Sequence, residues 1–175
     1  SSFNGDVSNW DVGQVTNMLS MFNGASSFNG DVSNWDVGQV ANMTKMFKDA
    51  HAFNQNLGAW NIDAESTLNG MLDDSGLDQS HYDSTLIGWV SRPNTPYGLN
   101  LGAAGLKYCE GKPARIALEY LYGWQISGDA LDCGDVQPFI TTWKTDNPGT
   151  SGPSSITIPT FPGETYNYEV DWDND

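Results

Sequence analysis

The side chains able to do chemistry are few, and their spacing gives them little to do together. The two histidines, His51 and His81, stand in no spacing with Ser, Cys or Asp that builds a nucleophilic triad, nor in a zinc-binding pattern. Cys109 and Cys133 do not form a CxxC pair, so thiol redox and zinc chemistry lack support equally. No GxxxxGKS/T or GxGxxG element follows a strand-like run, which leaves no phosphate cradle. Asp6 with Asp31, and Asp11 with Asp36, could pair as acid and base. Each pair, however, sits at equivalent positions of near-identical sequence, and equal environments work against the split pKa values that acid–base catalysis needs. Solvated or turn-capping aspartate is the ordinary reading. The terminal DWDND places Asp171, Asp173 and Asp175 as alternate carboxylates. That pattern suits calcium, a hard cation taking six to eight oxygens, although the glycine and distal Glu of an EF-hand loop are missing. A solvated acidic strand end is the alternative. The expectation is a chain without catalysis, with calcium as the one cofactor considered.

The elements that position these groups follow from an internal repeat. Residues 1–25 read SSFNGDVSNWDVGQVTNMLSMFNGA and residues 26–50 read SSFNGDVSNWDVGQVANMTKMFKDA, differing at only five positions. Residues 51–75 are a drifted third copy that keeps Phe53, Asn54, Trp60, Ile62, Leu68, Met71 and Leu72 in frame. Columns of like residues result: Phe3, Phe28 and Phe53; Trp10, Trp35 and Trp60; Val12, Val37 and Ile62; Met18, Met43 and Leu68. One coil cannot bury such residues alone, whereas stacked coils turn the columns into a continuous core, the logic of a solenoid. Within a coil, Asp6 to Val12 reads as a short strand. Asn17 to Phe22 reads as one or two helical turns, from the spacing of Met18, Met21 and Phe22. Gly5, Gly13 and Gly24 punctuate the corners. Asn4, Asn29 and Asn54 form a further column that would satisfy backbone groups at those corners.

The phrase FNGDVSNWDVGQVTNMLSMF resembles the bacterial surface-protein repeat family DUF285, related to BspA-like leucine-rich repeats. The resemblance covers about residues 1–134, including GLDQSHYDSTLIGWV and LGAAGLKYCEGKPARIALEYLYGWQISGD, which are similar to the closing region of that family. It implies an α/β, leucine-rich-repeat-like solenoid in a secreted or surface-anchored adhesin or interaction protein, without known catalysis. It does not name a ligand.

Composition agrees with an extracellular surface. Against 22 acidic residues stand 7 Lys and Arg, a formal net charge of −15 at pH 7. That field repels nucleic acid and anionic membrane and attracts cations or basic partners. No run of about 18 apolar residues is present, so nothing reads as a membrane span. Two cysteines in a Lys-poor, Asn- and Asp-rich chain favour a Cys109–Cys133 disulfide and an oxidising compartment; two buried thiols are the alternative. A bridge closing that loop would contribute about 3 kcal/mol through the unfolded state. Any targeting segment is expected outside this stretch. Further repeats are expected ahead of Ser1, because the first coil has an apolar face with nothing before it.

The organisation expected is residues 1–75 as repeats, 76–134 as an α+β cap where the period fails, and 135–175 as part of a β-sandwich-like module. In the cap, Asp78 or Ser80 starts a helix reaching Val90, and a short strand lies near Leu99–Gly102. A second helix runs from Pro113 to Gly123 with an apolar stripe of Ile116, Leu118, Tyr120 and Leu121, and WQIS follows as a strand. The runs PFITTWKT, SSITIPT and TYNYEVDW read as the opening strands of a PKD-like or Ig-like module. A partner, an extracellular protein or glycan, would meet the repeat face at Ser8, Asn9, Asp11 and their copies Ser33, Asn34 and Asp36. The competing reading is a structural spacer or filament block, joined to neighbouring repeats and modules or to copies of itself.

Overall fold

The computed structural model describes residues 2–63 and 65–134, within one compact unit, Ser1–Val136. The expected β module at 135–175 lies outside the described residues.

Coils one to three, residues 2–75, are laid on one another by main-chain hydrogen bonds running from each coil to the next. The N–H groups of Met18, Ser20, Phe22 and Gly24 donate to the carbonyls of Asn42, Thr44, Met46 and Lys48 at 2.7–2.9 Å. Met43, Lys45, Phe47 and Asp49 donate likewise to Thr67, Asn69, Met71 and Asp73 at 2.9–3.0 Å. The residues between them, Met21, Asn23 and Ala25, turn their N–H groups back to Met18, Ser20 and Phe22. Alternate N–H groups therefore serve the neighbouring coil and the coil's own turns.

This arrangement corrects the expected strand and helix of each coil, neither of which forms. Over residues 6–12 the N–H groups are spent locally: Ser8 donates to Asp6 Oδ1, Trp10 to the Val7 carbonyl and Gly13 to Asp11 Oδ1. Little main chain remains there for a strand to pair. Over residues 17–22 the helix is broken by left-handed backbone at Ser20, Lys45 and Gly70 (φ 55°, 55° and 63°). A second left-handed column follows at Gly24, Asp49 and Asp74 (φ 65°, 58° and 54°). The helix-like spacing of Met18, Met21 and Phe22 reflects a chain of tight turns.

The core is built from the columns. Phe22 stacks on Phe28 with ring centroids 3.9 Å apart, Phe47 on Phe53 at 3.8 Å, and Phe28 faces Phe53 at 6.0 Å. The two phenylalanine columns interleave, an offset parallel stacking that adds to plain burial. Trp35 and Trp60 bury their rings and still satisfy their indole N–H groups: Trp35 donates to the Val7 carbonyl at 3.0 Å and Trp60 to Val32 at 2.8 Å. Asn4 Oδ1 accepts the N–H of Asn29, and Asn29 Oδ1 that of Asn54. Asn54 Oδ1 accepts the N–H of Asp78, which carries the ladder out of the repeats.

The sequence period stops at residue 75, but the stacking does not. Leu72 and Asp74 donate to the carbonyls of Gly102 and Ala104, and Ala103 donates in turn to Ser127. The indole habit also persists, from Trp89 to the Leu57 carbonyl and from Trp124 to Pro96. The cap is thus two further, longer turns of the same stack. Helix α1 (Gln79–Val90) widens the fourth, capped by Asp78, whose carboxylate accepts the His81 N–H at 2.8 Å. It buries Tyr82, Leu86 and Trp89 and lies close on coil three: a Cβ at Gly88 would come within 2.4 Å of the Gly58 Cα. Strand β1 (Asn100–Gly102) precedes β2 (Lys107–Tyr108), and helix α2 (Lys112–Tyr120) leads to β3 (Gln125–Ser127) and β4 (Ala130–Leu131). Parallel pairing joins β1 to β3, with Leu101 beside Ile126, and β2 to β4, with Lys107 beside Ala130.

Helix α2 corrects a second expectation. It ends at Tyr120 and buries Ala114 and Leu118, one helical turn apart, while Ile116, Tyr120 and Leu121 are 44%, 83% and 70% exposed. A helix this short turns one narrow side inward, and the remaining apolar residues face out.

Candidate interaction surfaces

The cap is held by polar contacts whose chemistry is structural. Cys109 and Cys133 form a disulfide with Cα atoms 5.0 Å apart. Asp83, buried on α1, accepts the N–H groups of Cys109 and Glu110, both at 3.0 Å. Arg115 grips Asp129 through Nε and Nη2 at 2.7 and 2.9 Å, bonds Glu119 at 2.7 Å and lies over the Tyr108 ring. The Tyr82 hydroxyl also donates to Asp129, and burial, with the Asp129 charge beside it, pushes the phenol well above its ordinary pKa. Arg115 is held still more firmly cationic by its Asp129 hydrogen bonds. Lys107 pairs with Asp132, whose carboxyl is lowered chiefly by that bond. Nothing in the sequence spacing announced the Asp83 and Asp129 contacts, because their partners lie on distant segments, whereas Arg115 and Glu119 stand four apart on α2.

The histidines serve local structure. His51 Nδ1 meets the Asp74 carbonyl at 2.9 Å, and His81 Nδ1 meets the capping Asp78 at 3.0 Å. Asp6 and Asp31 are both lowered, by hydrogen bonds from Ser8 and Ser33 respectively. Equivalent carboxylates thus shift the same way.

The six residues of the expected binding face fall on one stretch of coils one and two, but they are not equally available. Ser8 and Ser33 are half-buried, and their N–H groups are bonded to Asp6 and Asp31 at 2.9 Å. Asp11 and Asp36 are exposed, and each gives Oδ1 to a glycine N–H two residues on, Gly13 or Gly38. Asn9 and Asn34 are exposed, and their amides have no hydrogen-bond partner among the described residues. Coil three carries Gly58, Ala59 and Asn61 in these places, so the full set occurs only in coils one and two. The calcium expectation at Asp171, Asp173 and Asp175 falls outside the described residues.

Of the tryptophan column, Trp35 and Trp60 are buried and Trp10 is half exposed. A crevice lined by Trp60, Trp89, Arg92, Thr95 and Trp124 has its three indoles almost wholly buried. The open aromatics are on the cap, where Tyr97, 71% exposed, lies 5.3 Å from Tyr122 between ring centroids. At the other end, coil one exposes Phe3 (43%), Trp10 (49%) and Met21 (40%). No helix among the described residues is long and apolar enough to cross a membrane.

Residues 1–84 match the model of a family described as "Mycoplasma protein of unknown function, DUF285", the family whose repeat the sequence resembles. Nothing matches the chain among curated proteins or among solved structures.

Proposed function

We propose that this chain is the repeat-and-cap segment of a secreted or cell-surface bacterial interaction protein. It binds an extracellular protein or glycan through the polar columns of coils one and two and performs no catalysis. The observation that carries the reading is a set of unspent groups in tandem: the amides of Asn9 and Asn34, and one oxygen each of Asp11 and Asp36. They recur at the coil spacing, gauged by the 6.2 Å between the Trp10 and Trp35 ring centroids. Identical weak contacts at a fixed short spacing add through effective concentration. The net charge of −15 favours a basic protein surface or a cation-bridged glycan. The Cys109–Cys133 bridge fits an oxidising compartment. We place the coils with the BspA-like leucine-rich repeats on their length and parallel stacking, and residues 135–175 with PKD-like or Ig-like modules. A calcium ion at Asp171, Asp173 and Asp175 belongs to the same proposal.

A spacer without a ligand is the second reading, favoured by the uninterrupted hydrogen-bond ladder from coil to cap, which suits a rod. The purified chain, screened on arrays of glycans and matrix proteins with calcium and with chelator, separates the two. The substitutions Asn9→Ala, Asp11→Asn, Asn34→Ala and Asp36→Asn copy what coil three carries and keep an acceptor for both glycine N–H groups. Specific binding lost in this variant, with an unchanged melting curve, supports the adhesive face. Binding that survives refutes that face, and silence from folded protein across the array leaves the spacer.

A further inference from the structure

The last two turns of the stack carry a short repeat of their own. Residues 97–102 read YGLNLG and residues 122–127 read YGWQIS, and the pairing of β1 with β3 sets Asn100 beside Gln125. The two segments therefore lie in register, which brings Tyr97 to Tyr122. Each tyrosine is followed by a left-handed glycine, Gly98 at φ 72° and Gly123 at φ 67°, with nothing within 4 Å of where a Cβ would stand. The main chain beneath is fixed. Gly98 N–H donates to the Tyr122 carbonyl, Gln125 N–H to Leu99 and the Trp124 indole to Pro96, each at 2.8 Å.

The polar groups that these turns carry are unspent. Tyr97 is exposed and Tyr122 half-buried, their rings tilted by 48°, and neither hydroxyl has a partner among the described residues. Asn100 and Gln125 are exposed and prolong the column of Asn17, Asn42 and Thr67. In the repeats that column's amide oxygens are used. Asn17 Oδ1 accepts the Leu19 N–H, and Asn42 Oδ1 accepts the Thr44 N–H and the Thr67 hydroxyl. The amides of Asn100 and Gln125 have no hydrogen-bond partner among the described residues.

We infer that Tyr97, Tyr122, Asn100 and Gln125 form a binding site for an uncharged glycan chain, on the cap and independent of the polar face of coils one and two. Two aromatic rings on neighbouring turns present faces to the C–H faces of pyranose rings, and tyrosine makes such contacts at low entropic cost. Each amide offers a donor and an acceptor side by side, the match for vicinal hydroxyls. All four side chains are uncharged in a chain of net charge −15, whose field repels a polyanion. A protein partner would call for a desolvated apolar centre, whereas here an amide accompanies each ring. Gln125 also lines a recess of about 370 Å³ with Glu119, Tyr120, Trp124 and Ile126, a size found among small-ligand sites. One tyrosine and one amide per turn favour a polymer, which meets both turns, over a single sugar.

The test titrates the whole chain with neutral hexasaccharides of glucose, mannose, galactose, xylose and N-acetylglucosamine, followed by saturation-transfer NMR. Nitration by tetranitromethane, read by mass spectrometry, reports on Tyr97. The expected result is that at least one of these sugars binds and slows Tyr97 nitration. Tyr97→Ala then weakens binding roughly tenfold, and Asn100→Ala with Gln125→Ala weakens it as well. Tyr97→Phe keeps the stacking face and binds as the parent does, and so does the variant at Asn9, Asp11, Asn34 and Asp36. Melting curves stay at the parent's, because Tyr97, Asn100 and Gln125 are exposed. Binding that survives Tyr97→Ala, or that is lost in the variant of coils one and two instead, overturns the inference. So does silence across all five hexasaccharides. Capture on a fibronectin surface that Tyr97→Ala abolishes, with every sugar inert, overturns it too, since a protein would then be the occupant.

Discussion

Asp83 and Cys109 meet through a main-chain bond: the Asp83 carboxylate, buried on α1, accepts the Cys109 N–H at 3.0 Å, beside the disulfide. The same carboxylate holds Glu110, and a Cβ at Gly111 would lie 2.6 Å from its Oδ1. One side chain on α1 thus fixes the turn that both bears the disulfide and opens α2.

Replacing Asp83 by Ala leaves the N–H groups of Cys109 and Glu110 without the carboxylate that accepts them. Hydrogen bonds to a charged group are worth about 1.5–3 kcal/mol, so Asp83→Ala should cost about 3 kcal/mol in urea unfolding with the disulfide intact. A loss below about 0.5 kcal/mol, the range of an ordinary surface substitution, would show that the turn holds without it.

Lys45 occupies left-handed backbone at φ 55°, in the column where coil three has Gly70 at 63°. A side chain there costs about 1–2 kcal/mol, part of which is offset because glycine also loosens the unfolded chain. Lys45→Gly should therefore raise stability by up to about 1 kcal/mol, a gain visible as a higher urea midpoint. A lowered midpoint would mean that the Lys45 stem packs usefully over Gly70.

Asp78 links repeats to cap, and its carboxyl is lowered first by the Asn54 amide and then by the His81 N–H. A carboxyl lowered on folding stabilises the protein above its unfolded pKa and loses that contribution as pH falls through the folded value. The melting temperature should hold from pH 7 to about 5 and drop below about 4, the ordinary carboxylate range. Asp78→Ala should cost about 1 kcal/mol at pH 7 and flatten part of the drop. An equally steep acid limb in the variant would assign it to other carboxylates.

Column identity was legible in the sequence because burial repeats with the chain: Phe28 with Phe53, Trp35 with Trp60 and Asn29 with Asn54 each recur in frame and meet in space. The start of α1, expected at Asp78 or Ser80 and found at Asp78, and the Cys109–Cys133 bridge were legible for similarly local reasons, a capping side chain and a lone pair of cysteines. Backbone handedness was not, since Ser20 and Lys45 are poor markers of left-handed geometry and only Gly70 signals that column. Two apolar residues three or four apart fit a tight turn as well as a helix, which is why Met18 to Phe22 misled. The continuation of the stack had a signal that periodicity alone passes over. Trp89 and Trp124 prolong the series Trp10, Trp35, Trp60 at stretched intervals, and their indoles keep the same kind of carbonyl partner. The polar face of coils one and two is legible only as repetition, because which oxygens remain unspent depends on turns that Asp11 and Asp36 form themselves.

The ladder that joins the coils also decides how the chain carries mechanical load. Its hydrogen bonds point from coil to coil, so tension along the stack pulls on them end to end, one coil boundary at a time. Each 25-residue coil that lets go releases about 80–90 Å of slack in place of a rise near 6 Å. Yielding should stop short at the cap, where the Cys109–Cys133 bridge withholds the loop it closes. Stretched between two surfaces, the segment would lengthen in steps of equal size and still keep its last turn folded.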